Sequence, residues 1–121
     1  MGLLQALDLG AEAGRRPEEL APGLLRRAEI ARALALQPLA LLLDEPAAGL
    51  TPAEQADLAA RLKAIAADGT ALVVVEHNLP FLMGLADRLI CLDAGRVIAE
   101  GPPEAVRADR QVAAIYLGQR P

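Results

Sequence analysis

The sequence predicts an α/β fold with a mainly parallel sheet, on three observations. Leu39–Leu43 and Ala71–Val75 are uninterrupted apolar runs of strand length, and the second is rich in β-branched residues. An amphipathic helical pattern with its own start signal lies between them. Strand, helix and strand in that order form a βαβ unit, which makes the strands parallel and the crossover right-handed.

From the N-terminus, a short helix is expected over Leu3–Leu7. Asp8–Gly23 is rich in glycine, proline and charge and reads as loop. A helix is expected over about Leu24–Leu36, with Ile30, Ala31 and Leu34 on one face and Arg26, Arg27 and Glu29 adding charge elsewhere. Gln37-Pro38 ends it, because proline disfavours helical geometry in the residue before it. Leu39–Leu43, closed by Asp44-Glu45-Pro46, suits a strand buried on both faces. Thr51-Pro52-Ala53-Glu54 is a capping box with proline at the first helical position. Its helix is expected to reach Ala67, with Leu58, Leu62 and Ile65 as the buried stripe and Gly69 placed to end it. After the second strand come a short helix over Leu79–Ala86 and a hairpin of Arg88–Leu92 and Val97–Ala99 around Asp93-Ala94-Gly95-Arg96. Pro102–Ala108 and Gln111–Leu117 read as closing helices.

Composition narrows the function classes. At 121 residues the chain is one modest domain or a piece of a larger one. A hydrophobic content of 54% is enough for a packed core, and with aromatics at 2% that core must be aliphatic. A net charge of -4 and a pI near 4.9 argue against a nucleic-acid binder, which would carry a basic face. The single cysteine, Cys91, rules out an internal disulfide, and its setting in RLICLD suits a small buried hydrophobe. No apolar stretch approaches the roughly 20 residues that span a bilayer, and no secretory signal is visible. The expectation is a soluble, cytoplasmic chain that meets a membrane only through a partner.

Chemistry is expected where the strands end, since open α/β sheets bind ligands beyond the carboxyl ends of their strands. The first strand delivers Asp44 and Glu45; the second delivers Glu76, His77 and Asn78. A strand-end carboxylate can hold magnesium directly or through water. A neighbouring carboxylate can orient or deprotonate a water. A histidine one strand away could contact a phosphoryl oxygen. Each element alone has a plainer reading: Asp-Glu-Pro as a turn, His77 as a solvated strand end, Arg26-Arg27 as a solvated helix face.

Order and spacing together decide between these readings, because the set resembles the ATP-binding cassette family. LLLDEPAAGLTP, from Leu41 to Pro52, is similar to that family's Walker B strand and D-loop. VVVEHN, from Val73 to Asn78, resembles its switch-histidine strand. LAPGLLRRAEIARALALQP, from Leu20 to Pro38, resembles its signature motif and helix, and LDAGRVIAEGPPEAV, from Leu92 to Val106, its closing hairpin. RRAEIARAL, DEPAAGL and the terminal AIYLG are similar to cassettes of branched-chain amino-acid importers.

The resemblance implies the C-terminal part of a P-loop NTPase (RecA-like) core. Residues 1–38 would end the helical subdomain, and 39–121 would belong to the ATPase core. It implies that Asp44 holds magnesium through water, Glu45 polarises the attacking water and His77 contacts the γ-phosphate of ATP. Ala48, Gly49, Leu50 and Thr51 would form the D-loop that touches a second cassette in a head-to-tail dimer. Ala21, Pro22, Gly23 and Leu24 would be a degenerate signature, with Ala21 where serine and Leu24 where glutamine is usual, so that only Gly23 remains. Asn78 stands where aspartate is common, and Arg26 and Arg27 would be structural or orient the signature helix.

The implied function is the ATP-binding subunit of a transporter, coupling hydrolysis to solute import, with branched-chain amino acids as the expected solute. Its partners would be transmembrane permease subunits, its place the inner face of the cell membrane, and nucleic acid would play no part. The phosphate-binding pattern G-x-x-x-x-G-K-[ST] does not occur in these 121 residues, nor does the glutamine loop. The chain is therefore expected to be a fragment, inactive alone, with no tight hold on ATP and magnesium. The rival reading is a non-catalytic regulatory module that docks on a cassette or permease. A DNA-repair ATPase of related fold fits less well, because no long heptad segment or basic patch is present.

Overall fold

A computed structural model describes residues 2–117. The elements are α1 (Leu3–Ala6), α2 (Pro22–Leu34), β1 (Ala40–Asp44), α3 (Pro52–Ala67), β2 (Ala71–Val75), α4 (Leu79–Leu85), β3 (Leu89–Asp93), β4 (Arg96–Gly101), α5 (Pro103–Arg107) and α6 (Arg110–Val112). They form two compact units that meet in sequence between His77 and Asn78.

In the first unit β1 and β2 pair in parallel, in the register Ala40↔Ala71 through Asp44↔Val75. The βαβ expectation therefore holds. The capping box also forms: the Glu54 amide donates to Thr51 Oγ1 at 3.3 Å, and the Thr51 amide donates to Glu54 Oε2 at 2.7 Å. Leu58, Leu62 and Ile65 are buried along α3, as are Ile30, Ala31 and Leu34 along α2. Gly69, at φ +102, takes the left-handed conformation that ends α3, which a residue with a Cβ rarely adopts.

Some expectations need correction here. The helix expected from Leu24 begins at Pro22 and stops at Leu34. Proline is compatible with the first helical turn, where its missing N–H has no partner to lose, so Pro22 and Gly23 are helical rather than loop. The loop before it contains 3₁₀ turns at Gly10–Glu12 and Pro17–Glu19.

The strands are also not buried on both faces. Leu41 and Leu43, with their register partners Leu72 and Val74, occupy the covered face. Leu42 and Val73 on the opposite face are 74% and 53% exposed, and Val75 is exposed beside them. Both faces are apolar in sequence, but helical cover within the described residues of this unit reaches only one.

The second unit is an antiparallel hairpin of β3 and β4 with helices packed on it. The described strands thus make one parallel and one antiparallel pair. Leu89, Val106 and Val112 form its core, with Leu82, Met83 and Ile98 against them. Cys91 is half-buried beside this core, and burial, then the charge of Asp109, pushes its thiol pKa up. That suits an inert apolar filler. Asn78 caps α4, its Oδ1 accepting from the Phe81 amide at 3.1 Å. Asparagine and aspartate cap equally well, so Asn78 in place of aspartate costs this helix nothing. The segment expected as one helix over Gln111–Leu117 is a short α turn followed by a π-helical turn, Ala113–Leu117. Tyr116 Oη donates to the Leu92 carbonyl at 3.0 Å. The end of the importer-like AIYLG, Gly118, lies outside the described residues.

Candidate functional site

The parallel strands β1 and β2 end side by side, and the candidate residues follow directly. Asp44 is the last residue of β1 and is exposed. Glu45 follows with φ +48, in the left-handed region that a non-glycine residue rarely occupies. Its amide donates to the Val75 carbonyl at 2.8 Å, which continues the ladder one step past the strand. Pro46 and Ala47 then turn inward and are buried.

His77 comes from the end of β2. Its Nδ1 lies 3.6 Å from Glu45 Oε1, and both side chains are exposed. The two residues expected to share catalysis are therefore together. Both are open to solvent on the strand-end side, where a phosphoryl group and a water could reach them.

The segment expected as a D-loop is a tight turn leading into α3. The Ala48 amide donates to the Glu45 carbonyl at 3.1 Å and the Leu50 amide to the Ala47 carbonyl at 3.2 Å. Gly49, at φ +74, supplies the reversal. Ala48 and Gly49 are exposed, and Thr51 caps α3.

The segment expected as a degenerate signature sits at the start of α2. Ala21 is its N-cap and makes no side-chain hydrogen bond there, and Pro22 is its first helical residue. A Cβ on Gly23 would lie 3.2 Å from Glu54 Oε1 and 3.6 Å from Leu50 Cδ2. Gly23 thus lets the start of α2 close on Leu50 and the first turn of α3. Leu24 is half-buried in the next position.

Four residues further along, α2 is tied to α3 again by charge. Arg27 pairs with Asp57, and Arg61 donates to the same carboxylate at 2.8 and 3.2 Å. Arg61 also donates to the Ala6 carbonyl at 3.1 Å. The Arg61 hydrogen bond, joined by the positive charge of both arginines, outweighs burial and holds Asp57 below the usual carboxylate range. Arg27 is therefore structural, in accord with one of its two expected roles. Arg26 instead pairs with Glu29 on its own helix, at 3.5 Å.

Two members of this arrangement had no role in the sequence reading. Asp57 and Arg61 carry a weak signal, the i, i+4 acid–base spacing on α3, but nothing local points to Arg27. Glu76 was visible as a strand-end carboxylate; its partner was not. Its Oε1 accepts from the Ala47 amide at 2.8 Å.

As to metal, no cluster of three or more ligating side chains occurs among the described residues. Asp44 offers an exposed carboxylate, a hard oxygen ligand, which fits a magnesium ion held through water rather than a protein cage. No helix among the described residues is long and apolar enough to cross a membrane.

Comparison with known proteins bears on the family and the fold. Residues 96–120 match the family described as branched-chain amino acid ATP-binding cassette transporter. The high-affinity branched-chain amino acid transport ATP-binding protein LivG of Escherichia coli (strain K12) is 38% identical over 117 residues, covering 96% of this chain and 46% of LivG. BraF of Pseudomonas aeruginosa, with the same description, is 36% identical over 117 residues, again 96% of this chain and 46% of the relative. Among solved structures, an ATP-binding cassette of an ABC transporter in its ADP conformation superposes with a TM-score of 0.88 at 31% identity, covering 97% of this chain and 48% of that one. The chain spans about half the length of the curated relatives it matches. Its sequence and fold are those of the C-terminal part of an ATP-binding cassette ATPase.

Proposed function

We propose that this chain forms the Walker B, D-loop and switch-histidine part of the ATP-hydrolysing subunit of an importer for branched-chain amino acids. The observation that carries the reading is the approach of His77 Nδ1 to Glu45 Oε1, 3.6 Å apart at the adjoining ends of two parallel strands. Glu45 orients and polarises the water that attacks the γ-phosphate of ATP. His77 contacts the phosphoryl oxygens and keeps the Glu45 carboxylate turned toward them. Asp44 would hold a magnesium ion through water, and the ion when bound would supply positive charge to the phosphates.

Residues 1–38 end the helical subdomain in this reading, and 39–121 belong to the ATPase core. Ala48–Thr51 and the signature residues Ala21–Leu24 face a second cassette in a head-to-tail dimer. Permease subunits link the assembly to the inner face of the membrane. The groups that wrap the triphosphate in P-loop NTPases are the phosphate loop and its lysine. These 121 residues do not include that pattern, so on their own they bind ATP weakly and turn none over.

The test is Glu45→Gln in the full-length ATPase that carries this sequence. The amide keeps the shape and loses the charge and basicity, so hydrolysis should stop while ATP binding persists. Turnover within a few-fold of the parent would show that Glu45 is not the catalytic carboxylate. A regulatory module that docks on a cassette has one observation in its favour: Ala21 caps α2 with no hydroxyl to offer a partner's nucleotide. A parent protein that binds its permease but hydrolyses no ATP would select that reading.

A further inference from the structure

We infer that Glu76 is a positioning residue for Glu45: it clamps the turn that holds the catalytic carboxylate in a strained conformation at the end of β1. The inference rests on the role proposed for Glu45 and deepens it. Glu45 has φ +48, which an L-residue adopts only when its surroundings enforce it. Three successive residues of the β2 end supply that enforcement. The Val75 carbonyl accepts from the Glu45 amide at 2.8 Å. Glu76 Oε1 accepts from the Ala47 amide, also at 2.8 Å. His77 Nδ1 then meets the Glu45 carboxylate at 3.6 Å.

The middle contact is the one that a change of side chain can remove. Ala47 is 3% exposed, so water does not readily replace a partner lost from its amide. With residue 45 tied on its amide and residue 47 on its own, Pro46 is held between two anchors. The direction of the Glu45 side chain is then fixed before any nucleotide arrives. Glu76 does this through the backbone and needs no contact with ATP, water or magnesium.

What the clamp needs is an acceptor oxygen at this length, not a negative charge. Glutamine supplies the oxygen, alanine does not, and methionine keeps the length with only a weak acceptor. In the full-length ATPase that carries this sequence, Glu76→Gln, Glu76→Ala, Glu76→Met and Glu45→Gln are compared for kcat, KM for ATP, and hydrogen exchange at the Ala47 amide. Glu76→Gln should stay within about threefold of the parent in kcat and keep the Ala47 amide protected. Glu76→Ala should lose about tenfold or more in kcat, with KM changed little and the Ala47 amide exchanging faster. Glu76→Met should behave like the alanine variant, and it reads the effect if alanine fails to fold. Equal loss in Glu76→Gln and Glu76→Ala would mean that charge matters and the clamp does not, overturning the inference. So would unchanged kcat in both acceptor-free variants. Persistent turnover in Glu45→Gln would instead remove the role proposed for Glu45 itself, whatever the Ala47 amide shows.

Discussion

Replacing Asp57 by alanine tests how α2 is fixed to α3. Asp57 pairs with Arg27 and accepts from Arg61 at 2.8 and 3.2 Å. Without it the two guanidiniums, 14% and 21% exposed, keep the more distant Asp8, at 3.8 and 3.6 Å, and Arg61 keeps the Ala6 carbonyl. Hydrogen bonds to charged groups contribute about 1.5–3 kcal/mol, whereas exposed ion pairs contribute about 0–1 kcal/mol. Asp57 is 39% exposed, so solvent screens it and the expected loss lies between, at about 1–2 kcal/mol at neutral pH. Arg27→Ala should cost less, because the Asp57–Arg61 pair survives it.

The pH dependence has a definite sign. Asp57 is held below its ordinary value of 3.8, first by the Arg61 hydrogen bond. A carboxylate depressed in the folded state stabilises fully above its unfolded pKa, and the effect fades as pH falls through the folded value. Urea titration of parent and Asp57→Ala, at low protein concentration, should show a gap at neutral pH that closes in strong acid. A gap below about 0.3 kcal/mol at neutral pH, far under the range for a charged hydrogen bond, would refute the argument. So would a gap that widens on acidification.

Two further outcomes follow from the fold. The open face of the β1–β2 sheet presents Leu42, Val73 and Val75 to water, and a large aliphatic side chain left uncovered forgoes about 1.5–3 kcal/mol. The 121-residue chain should therefore self-associate, and Leu42→Lys should reduce this; a concentration-independent monomer by light scattering would contradict the reasoning. At the signature, Ala21→Ser with Leu24→Gln in the full-length ATPase should raise turnover by restoring the missing polar groups. Because serine also caps α2 and can add about 0.5–2 kcal/mol of stability, the comparison must be of kcat at matched folded fraction, and no gain would show that the departure is tolerated.

Much of the fold was legible because the signals are local. The capping box at Thr51 and Glu54 uses residues three apart, and the Leu58, Leu62 and Ile65 stripe needs only the helical period. The length and β-branching of Ala71–Val75 mark a strand, and its place after a helix makes the pair parallel. The strand-end rule placed Asp44, Glu45 and His77 in one region, and the structure sets Glu45 and His77 within 3.6 Å.

Tertiary structure decided what local pattern cannot carry. Leu39–Leu43 and Ala71–Val75 are apolar at every position, so nothing in them distinguishes the covered face of Leu41 and Leu43 from the open face of Leu42. Which face is covered depends on where the helices fall. Arg27 reads as a solvated helix residue until α3 brings Asp57, 30 positions away, against it. Glu76 reads as one more strand-end carboxylate until the turn after β1 points the Ala47 amide at it across 29 positions. A sequence displays residue type and short-range period; which donor meets which acceptor is fixed only when the backbone closes on itself.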